Sequence, residues 1–119
     1  MTATDNARET VLACVKAIQS EDFKRTRELV DNDFSFVGVL GSVRGGDNYV
    51  EQMKKLHFKY NVKKVFADGS DVCLLSDVVM GETSVFTCSW YTVDGGKIRS
   101  LRVVFDPRPV LQGAPAAAR

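Results

Sequence analysis

Asp77 is the residue in this sequence best suited to moving a proton. It interrupts Asp71 to Met80, a stretch otherwise built largely of Val, Leu and Cys. A carboxylate on a buried strand face loses hydration, so its ionised form is disfavoured and its pKa rises. That is how a general acid or base is tuned toward neutral pH. At the open end of a sheet, or turned outward by a bulge, the same residue would be an ordinary solvated aspartate. His57, the single histidine, closes a helical apolar stripe and could complete a dyad with Asp77 across a pocket. It could equally cap the helix, whose C-terminal dipole favours the imidazolium. Tyr49 and Trp90 could donate to a ligand oxygen or simply fill the core.

Other chemistries lack their residues. Cys14, Cys73 and Cys88 are odd in number and far apart, with no CxxC or Cys/His spacing, which predicts neither a zinc site nor a disulfide framework. They read as small hydrophobes, and the expected address is a reducing cytoplasm. There is no GxSxG, P-loop, HExxH or dinucleotide fingerprint. The glycines of "GVLGSVRGG" precede a helix without a strand–helix–strand unit around them and read as turns. No metal and no cofactor is expected.

The elements that position these residues follow from periodicity. The chain has 119 residues, 45% hydrophobic and 26% charged, the balance of one globular domain. Residues 1–110 are expected to form that domain and 111–119 a disordered Ala/Gly/Pro tail. A net charge of +1 supplies no field for nucleic acid or an anionic membrane. The lysines at 54, 55, 59, 63 and 64 have no interleaved aromatic platform and read as a solvated surface. Three helical patterns come first: Ala7, Val11, Cys14, Val15 and Ile18, capped by Thr4 or Asp5; a short one after Asp22; and Tyr49, Val50, Met53, Leu56 and His57, capped by Asp47. Between the last two, Phe34 to Val39 reads as a strand. A meander follows, with hairpin signals at Gly69-Ser70, Gly81-Glu82 and Gly95-Gly96, and Asp106-Pro107-Arg108-Pro109 stops it. Helices ahead of antiparallel strands make an α+β layer arrangement.

Two-residue loops at 81–82 and 95–96 predict a register that pairs Leu75 with Cys88, Cys88 with Val103 and Trp90 with Leu101. Period-two alternation then places Cys73, Leu75, Asp77, Val79, Phe86, Cys88, Trp90, Leu101, Val103 and Phe105 under the helices. The opposite face would carry Ser76, Thr87, Ser89, Tyr91, Ser100, Arg102 and Val104.

The run "NDFSFVGVLGSVRGGDNYVEQMKKL", with "FADGSDVCLLSDVV" and "DGGKIRSLRVVFDPRPV", resembles SnoaL-like proteins of the nuclear transport factor 2-like superfamily over about residues 7–110. That resemblance implies a cystatin-like cone: helices on a strongly curved antiparallel sheet around an internal pocket, often in a homodimer. On this reading Cys14, Ile18, Gly38, Met53, Phe86, Cys88, Trp90, Leu101, Val103 and Phe105 line the pocket. Thr87, Ser89, Tyr91, Arg102 and Val104 form the dimer face. The tyrosine, aspartate base and protonated acid of a ketosteroid isomerase fall on Cys14, Gly38 and Cys88, so that reaction is excluded. The Arg/Asp pairings of a limonene-epoxide-hydrolase-like site are also missing. Because the fold hosts many chemistries, three readings stand: a protein binding a small hydrophobic or weakly polar molecule, a cofactor-independent isomerase, cyclase or lyase using Asp77, and a dimeric interaction module with a filled core.

Overall fold

The computed structural model describes residues 2–112. Helix α1 (Ala3–Gln19) starts at Thr2 rather than at Thr4 or Asp5; the Thr2 hydroxyl accepts from the Asp5 N–H while the Asp5 carboxylate accepts from the Thr2 N–H. Its apolar stripe, Ala7, Val11, Cys14, Val15 and Ile18, is fully buried. Helix α2 (Phe23–Leu29) is capped by Asp22, as its sequence predicts, and runs directly into β1 (Val30–Val37) and the short β2 (Ser42–Arg44).

Helix α3 (Gly46–Leu56) is not capped by Asp47. Gly45 holds the N-cap with φ +96°, a region that favours glycine, and no side chain closes the cap. A Cβ on Gly46 would meet the Asp31 carbonyl at 2.7 Å. The helix start is thus pressed against the chain entering β1, and Asp47 instead accepts from Arg27 Nε at 2.6 Å. The same guanidinium donates to the Val30 carbonyl at 3.2 Å and to Asn32. One arginine therefore ties α2, β1 and α3 together.

Four long strands follow, β3 (Lys59–Asp68), β4 (Asp71–Met80), β5 (Thr83–Asp94) and β6 (Lys97–Phe105), and a short helix α4 (Arg108–Gln112) ends the described chain. Gln112 and its predecessor are therefore helical, and the rest of the expected tail lies outside the described residues. The six strands form one sheet in the order β2-β1-β6-β5-β4-β3. The α+β architecture is the expected one. One pairing differs: β1 runs parallel to β6, with Phe36 opposite Leu101, so the sheet is mixed. The two helices before β1 and α3 after β2 lie beside that connection, which a hairpin meander alone would not produce.

The β4–β5 register is the predicted one, with Met80 opposite Thr83, Asp77 opposite Phe86 and Leu75 opposite Cys88. The next register is not. Asp94 pairs with Lys97 and Val93 with Ile98, but Thr92 pairs with Ser100, leaving Arg99 as an extra residue on β6. This bulge shifts the strand by one, so that Cys88 meets Val104 and Trp90 meets Arg102. A second bulge at Lys63 in β3 changes which parity faces inward: Tyr60 and Val62 before it, Val65 and Ala67 after it.

The faces are consequently reversed on β4 and β5. The helices cover Val72, Leu74, Ser76 and Val78 of β4 and Val85, Thr87, Ser89, Tyr91 and Val93 of β5, all buried. Cys73, Leu75, Asp77, Val79, Phe86, Cys88 and Trp90 point the other way, with Phe86 57% and Trp90 49% exposed. On β6, Leu101, Val103 and Phe105 do face inward as predicted. The core then reads α1 against β4, β5 and β6, closed at one side by Phe34, Tyr49 and Met53.

Candidate functional site

Between the inner sheet face and α3 lies a cavity of about 460 Å³, within the size range of small-molecule sites. Its floor is Val78 of β4, Thr87, Ser89 and Tyr91 of β5, and Leu101, Val103 and Phe105 of β6. Tyr49, Gln52, Met53 and Leu56 of α3 form one wall, Phe58 and Tyr60 another. The β1–β2 connection, Gly38 to Ser42, and Val110 of α4 form the rim, where Val39 and Leu40 are exposed. Each strand contributes alternate residues because its side chains point to one face at period two.

The polar groups around this space are hydroxyls and amides. Among the described residues that line it there is no Asp, Glu, His, Lys, Arg or Cys. Burial holds Tyr49 and Tyr91 well above the ordinary phenol range. The neighbouring Tyr60 and Cys14 reinforce the effect on both. Tyr60 is raised in the same way, first by burial and then by Cys14. All three phenols therefore stay neutral O–H groups across the physiological range. Phe34 stacks on Tyr49 with ring centroids 4.5 Å apart, and Phe36 lies 6.1 Å from it, which fixes that ring. Thr87 Oγ1 donates to the Ser76 carbonyl at 3.3 Å. Ser76 Oγ, on β4 directly opposite Thr87, is the one buried side-chain oxygen or nitrogen without a partner among the described residues.

The residues expected to do chemistry are elsewhere. Asp77 lies on the outer face, 38% exposed, with Lys63 Nζ 3.5 Å from its carboxylate. The bulge that frees Lys63 from the ladder places it there. His57 is the C-cap of α3, in the left-handed region at φ +51°, and its Nδ1 lies 3.1 Å from Glu21 of the α1–α2 turn. That contact, together with Lys59, holds the exposed Glu21 carboxyl below its usual range. Asp77 thus lies on the outer face beside Lys63 while His57 caps α3 beside Glu21, and the two make no dyad.

Of the expected pocket residues, Gly38, Met53, Leu101, Val103 and Phe105 line the cavity. Cys14 and Ile18 are buried in the α1 core instead, and burial pushes the Cys14 thiol up to about 12. Phe86, Cys88 and Trp90 are on the outer face, because the bulge at Arg99 aligns Cys88 and Trp90 with Val104 and Arg102 instead of with Val103 and Leu101. Of the expected outer face, Arg102 and Val104 are exposed there, whereas Thr87, Ser89 and Tyr91 belong to the cavity floor. Tyr60, Thr87, Ser89 and Tyr91 are the lining residues that a search for apolar inward faces passes over. The signal that finds them is the hydroxyl-bearing alternation Thr87, Ser89, Tyr91 on a central strand, where solvent-facing positions would usually carry charge.

Gly38, just past β1, brings no functional group to the rim, and a Cβ there would stand 2.8 Å from the tip of the Phe36 ring, which would have to shift.

Several solved structures share this arrangement. An NTF2-like protein of unknown function from Cytophaga hutchinsonii is 36% identical, with a TM-score of 0.87 over 88% of this chain and 94% of that one. An LEH-like epoxide hydrolase of M. tuberculosis is 24% identical (TM-score 0.82, 97% of this chain and 93% of that one). A de novo designed protein with a curved β-sheet is 18% identical (TM-score 0.75, 87% and 88%). The last two likenesses are of fold alone, and the designed protein shows that this backbone exists apart from any natural activity. No curated protein matches the sequence. No helix among the described residues is long and apolar enough to cross a membrane. The model of the SnoaL-like domain matches residues 11–101, which hold the second half of α1, all of α2 and α3, every strand of the sheet but the end of β6, and most of the cavity lining, and the chain belongs to that family.

Proposed function

We propose that the cavity binds a small, uncharged, largely apolar molecule carrying a carbonyl or hydroxyl oxygen, and does not turn it over. The observation behind this reading is the lining: apolar walls, three neutral phenols and, among the described residues that line it, no carboxylate, imidazole, amine, guanidinium or thiol. An ionised ligand would be desolvated there without a countercharge, which costs several times what a neutral acceptor costs. A carbonyl oxygen, in contrast, would find O–H donors from Tyr91 or Ser89 at the floor or Tyr60 in the wall. The reading in which Asp77 moves a proton draws no support from its position beside Lys63 on the other face.

Native mass spectrometry of freshly purified protein, and titration with the neutral fluorophore N-phenyl-1-naphthylamine, test this. The expected result is saturable binding that Val103→Trp abolishes by filling the cavity while Asp77→Asn leaves it unchanged. Equal binding by wild type and Val103→Trp would place the ligand elsewhere and sink the proposal.

A second reading concerns assembly. Phe66, Leu75, Val79, Phe86, Trp90 and Val104 expose an apolar surface across β3 to β6, on the face away from the helices. Large aromatics with an arginine at the edge suit an interface between two copies of the chain. The residues carrying it are this set with Arg102. Sedimentation velocity is expected to give a dimer that Trp90→Ser weakens; a monomer at all concentrations would end this reading.

A further inference from the structure

Two thiols lie against each other on the outer sheet face. Along the β4–β5 ladder Cys73 is opposite Trp90 and Leu75 is opposite Cys88, so the two cysteines are diagonal neighbours. Their sulfurs are 3.3 Å apart. Both are free and half-buried. The ladder that carries them is unbroken from Asp71–Thr92 to Met80–Thr83, and both strands are paired on their far sides as well. Their spacing is therefore set by the sheet and not by a loop. The third cysteine, Cys14, is buried in the α1 core on the other side of the sheet and has no route to either.

We propose that Cys73 and Cys88 are an oxidisable dithiol, converted by hydrogen peroxide to an intramolecular disulfide that braces β4 to β5. In the first step one sulfur, as thiolate, attacks a peroxide oxygen. The O–O bond breaks, the departing hydroxide takes up a proton to give water, and a sulfenic acid remains. In the second step the other thiol gives up its proton and attacks the sulfenic sulfur. The S–S bond forms, the S–O bond breaks, and a second water leaves. Two thiols are oxidised by two electrons and one peroxide is reduced to two waters.

Geometry drives the second step. A disulfide needs the sulfurs at about 2.04 Å against the present 3.3 Å, and because diagonal positions stand wider apart than opposite ones, β4 and β5 must draw together locally as the side chains rotate. A partner thiol already in contact outcompetes a second peroxide from solution, which directs the reaction to the disulfide and away from sulfinic acid. Burial, then the hydrogen bond with Cys88, push the Cys73 thiol up to about 11, which makes the first step slow and the reduced pair stable in a reducing medium.

The pair lies on the face read above as a dimer surface, so the full-length chain is oxidised at a dilution where native mass spectrometry shows single chains. This also keeps the outcome separate from whether the cavity binds anything. Reduced protein is treated with hydrogen peroxide, denatured, alkylated with N-ethylmaleimide and weighed intact. The expected product has lost two hydrogens and accepts one maleimide in place of the three that the free cysteines take up when reduced, and dithiothreitol restores all three. Cys73→Ser and Cys88→Ser should each abolish the loss of two hydrogens, whereas Cys14→Ser should preserve it. Retention of three alkylation sites, accumulation of sulfinic acid in the wild type, or a disulfide joining two chains would each overturn the proposal.

Discussion

The two faces of the central sheet invert the usual contrast between inside and outside. The face under the helices carries Ser76, Thr87, Ser89 and Tyr91 among its aliphatic residues, all buried. The face turned away carries Leu75, Phe86, Trp90 and Val104, the last three exposed. A burial rule based on hydrophobicity alone assigns these faces the wrong way round. Thr87, Ser89 and Tyr91 are inside because they border a cavity rather than pack a solid core. The outer aromatics are exposed because helices cover only one face of the sheet. A polar inner face beside an apolar outer one fits the proposed ligand site and the proposed contact between copies better than it fits a simple two-layer domain.

Stability should separate the two faces most strongly. Phe34 is fully buried and stacked on Tyr49, so Phe34→Ala leaves a cavity and is expected to cost about 3–5 kcal/mol. Phe86→Ala removes as large a ring from the exposed face and should cost no more than about 0.5 kcal/mol in the dissociated chain. Urea unfolding at low protein concentration measures both. Similar midpoints for the two variants would break the distinction between faces.

Binding should show the next largest difference. Tyr91→Phe deletes one buried hydroxyl from the floor and keeps the ring, so affinity for a carbonyl-bearing ligand should fall roughly tenfold, the equivalent of about one net hydrogen bond. Trp90, its neighbour in sequence, points the opposite way, and Trp90→Ser should leave that affinity unchanged while weakening self-association. If Trp90→Ser weakens binding and Tyr91→Phe does not, the faces have been misjudged. Displacement of the fluorophore by a neutral aryl ketone, and sedimentation velocity, run on the same two variants, decide it.

The order of elements, the hairpin loops and the β4–β5 register were legible because they depend on local signals: turn glycines, a capping aspartate at 22, helical and strand periodicities. Three things were not. The extra residue at Arg99 leaves no mark in composition, since a bulge in a Lys-Ile-Arg-Ser-Leu-Arg strand looks like any alternation. The parallel pairing of β1 with β6 joins segments more than sixty residues apart, and no local pattern specifies it. The direction of each face depends on what covers it, which periodicity does not contain. Asp77 was placed in the pocket for that reason alone: it shared a face with Leu75 and Phe86, and that face was taken to be the inner one. The family was legible in the joint spacing of weak motifs, but the site was not, because its polar residues are common types whose meaning comes from enclosure.

The smallest expected effect lies at the edge of the cavity, where α4 brings Val110 to the rim. Asp106 precedes this helix, accepts from the Arg108 N–H at 3.0 Å and forms a two-point ion pair with its guanidinium. Those contacts hold the Asp106 carboxyl at about 2, below its ordinary 3.8. Because the folded value is the depressed one, the contribution is fully present above the unfolded pKa and disappears as pH falls through about 2. The pair is fully exposed, so its effect on global stability should be slight. An NMR titration of the Asp106 carboxyl should show the low midpoint, and Arg108→Ala should return it toward 3.8. If α4 matters to the rim, ligand affinity in Arg108→Ala should fall modestly with no change in the urea midpoint. An unchanged affinity would mean that the Asp106–Arg108 pair does not set the position of Val110 at the rim.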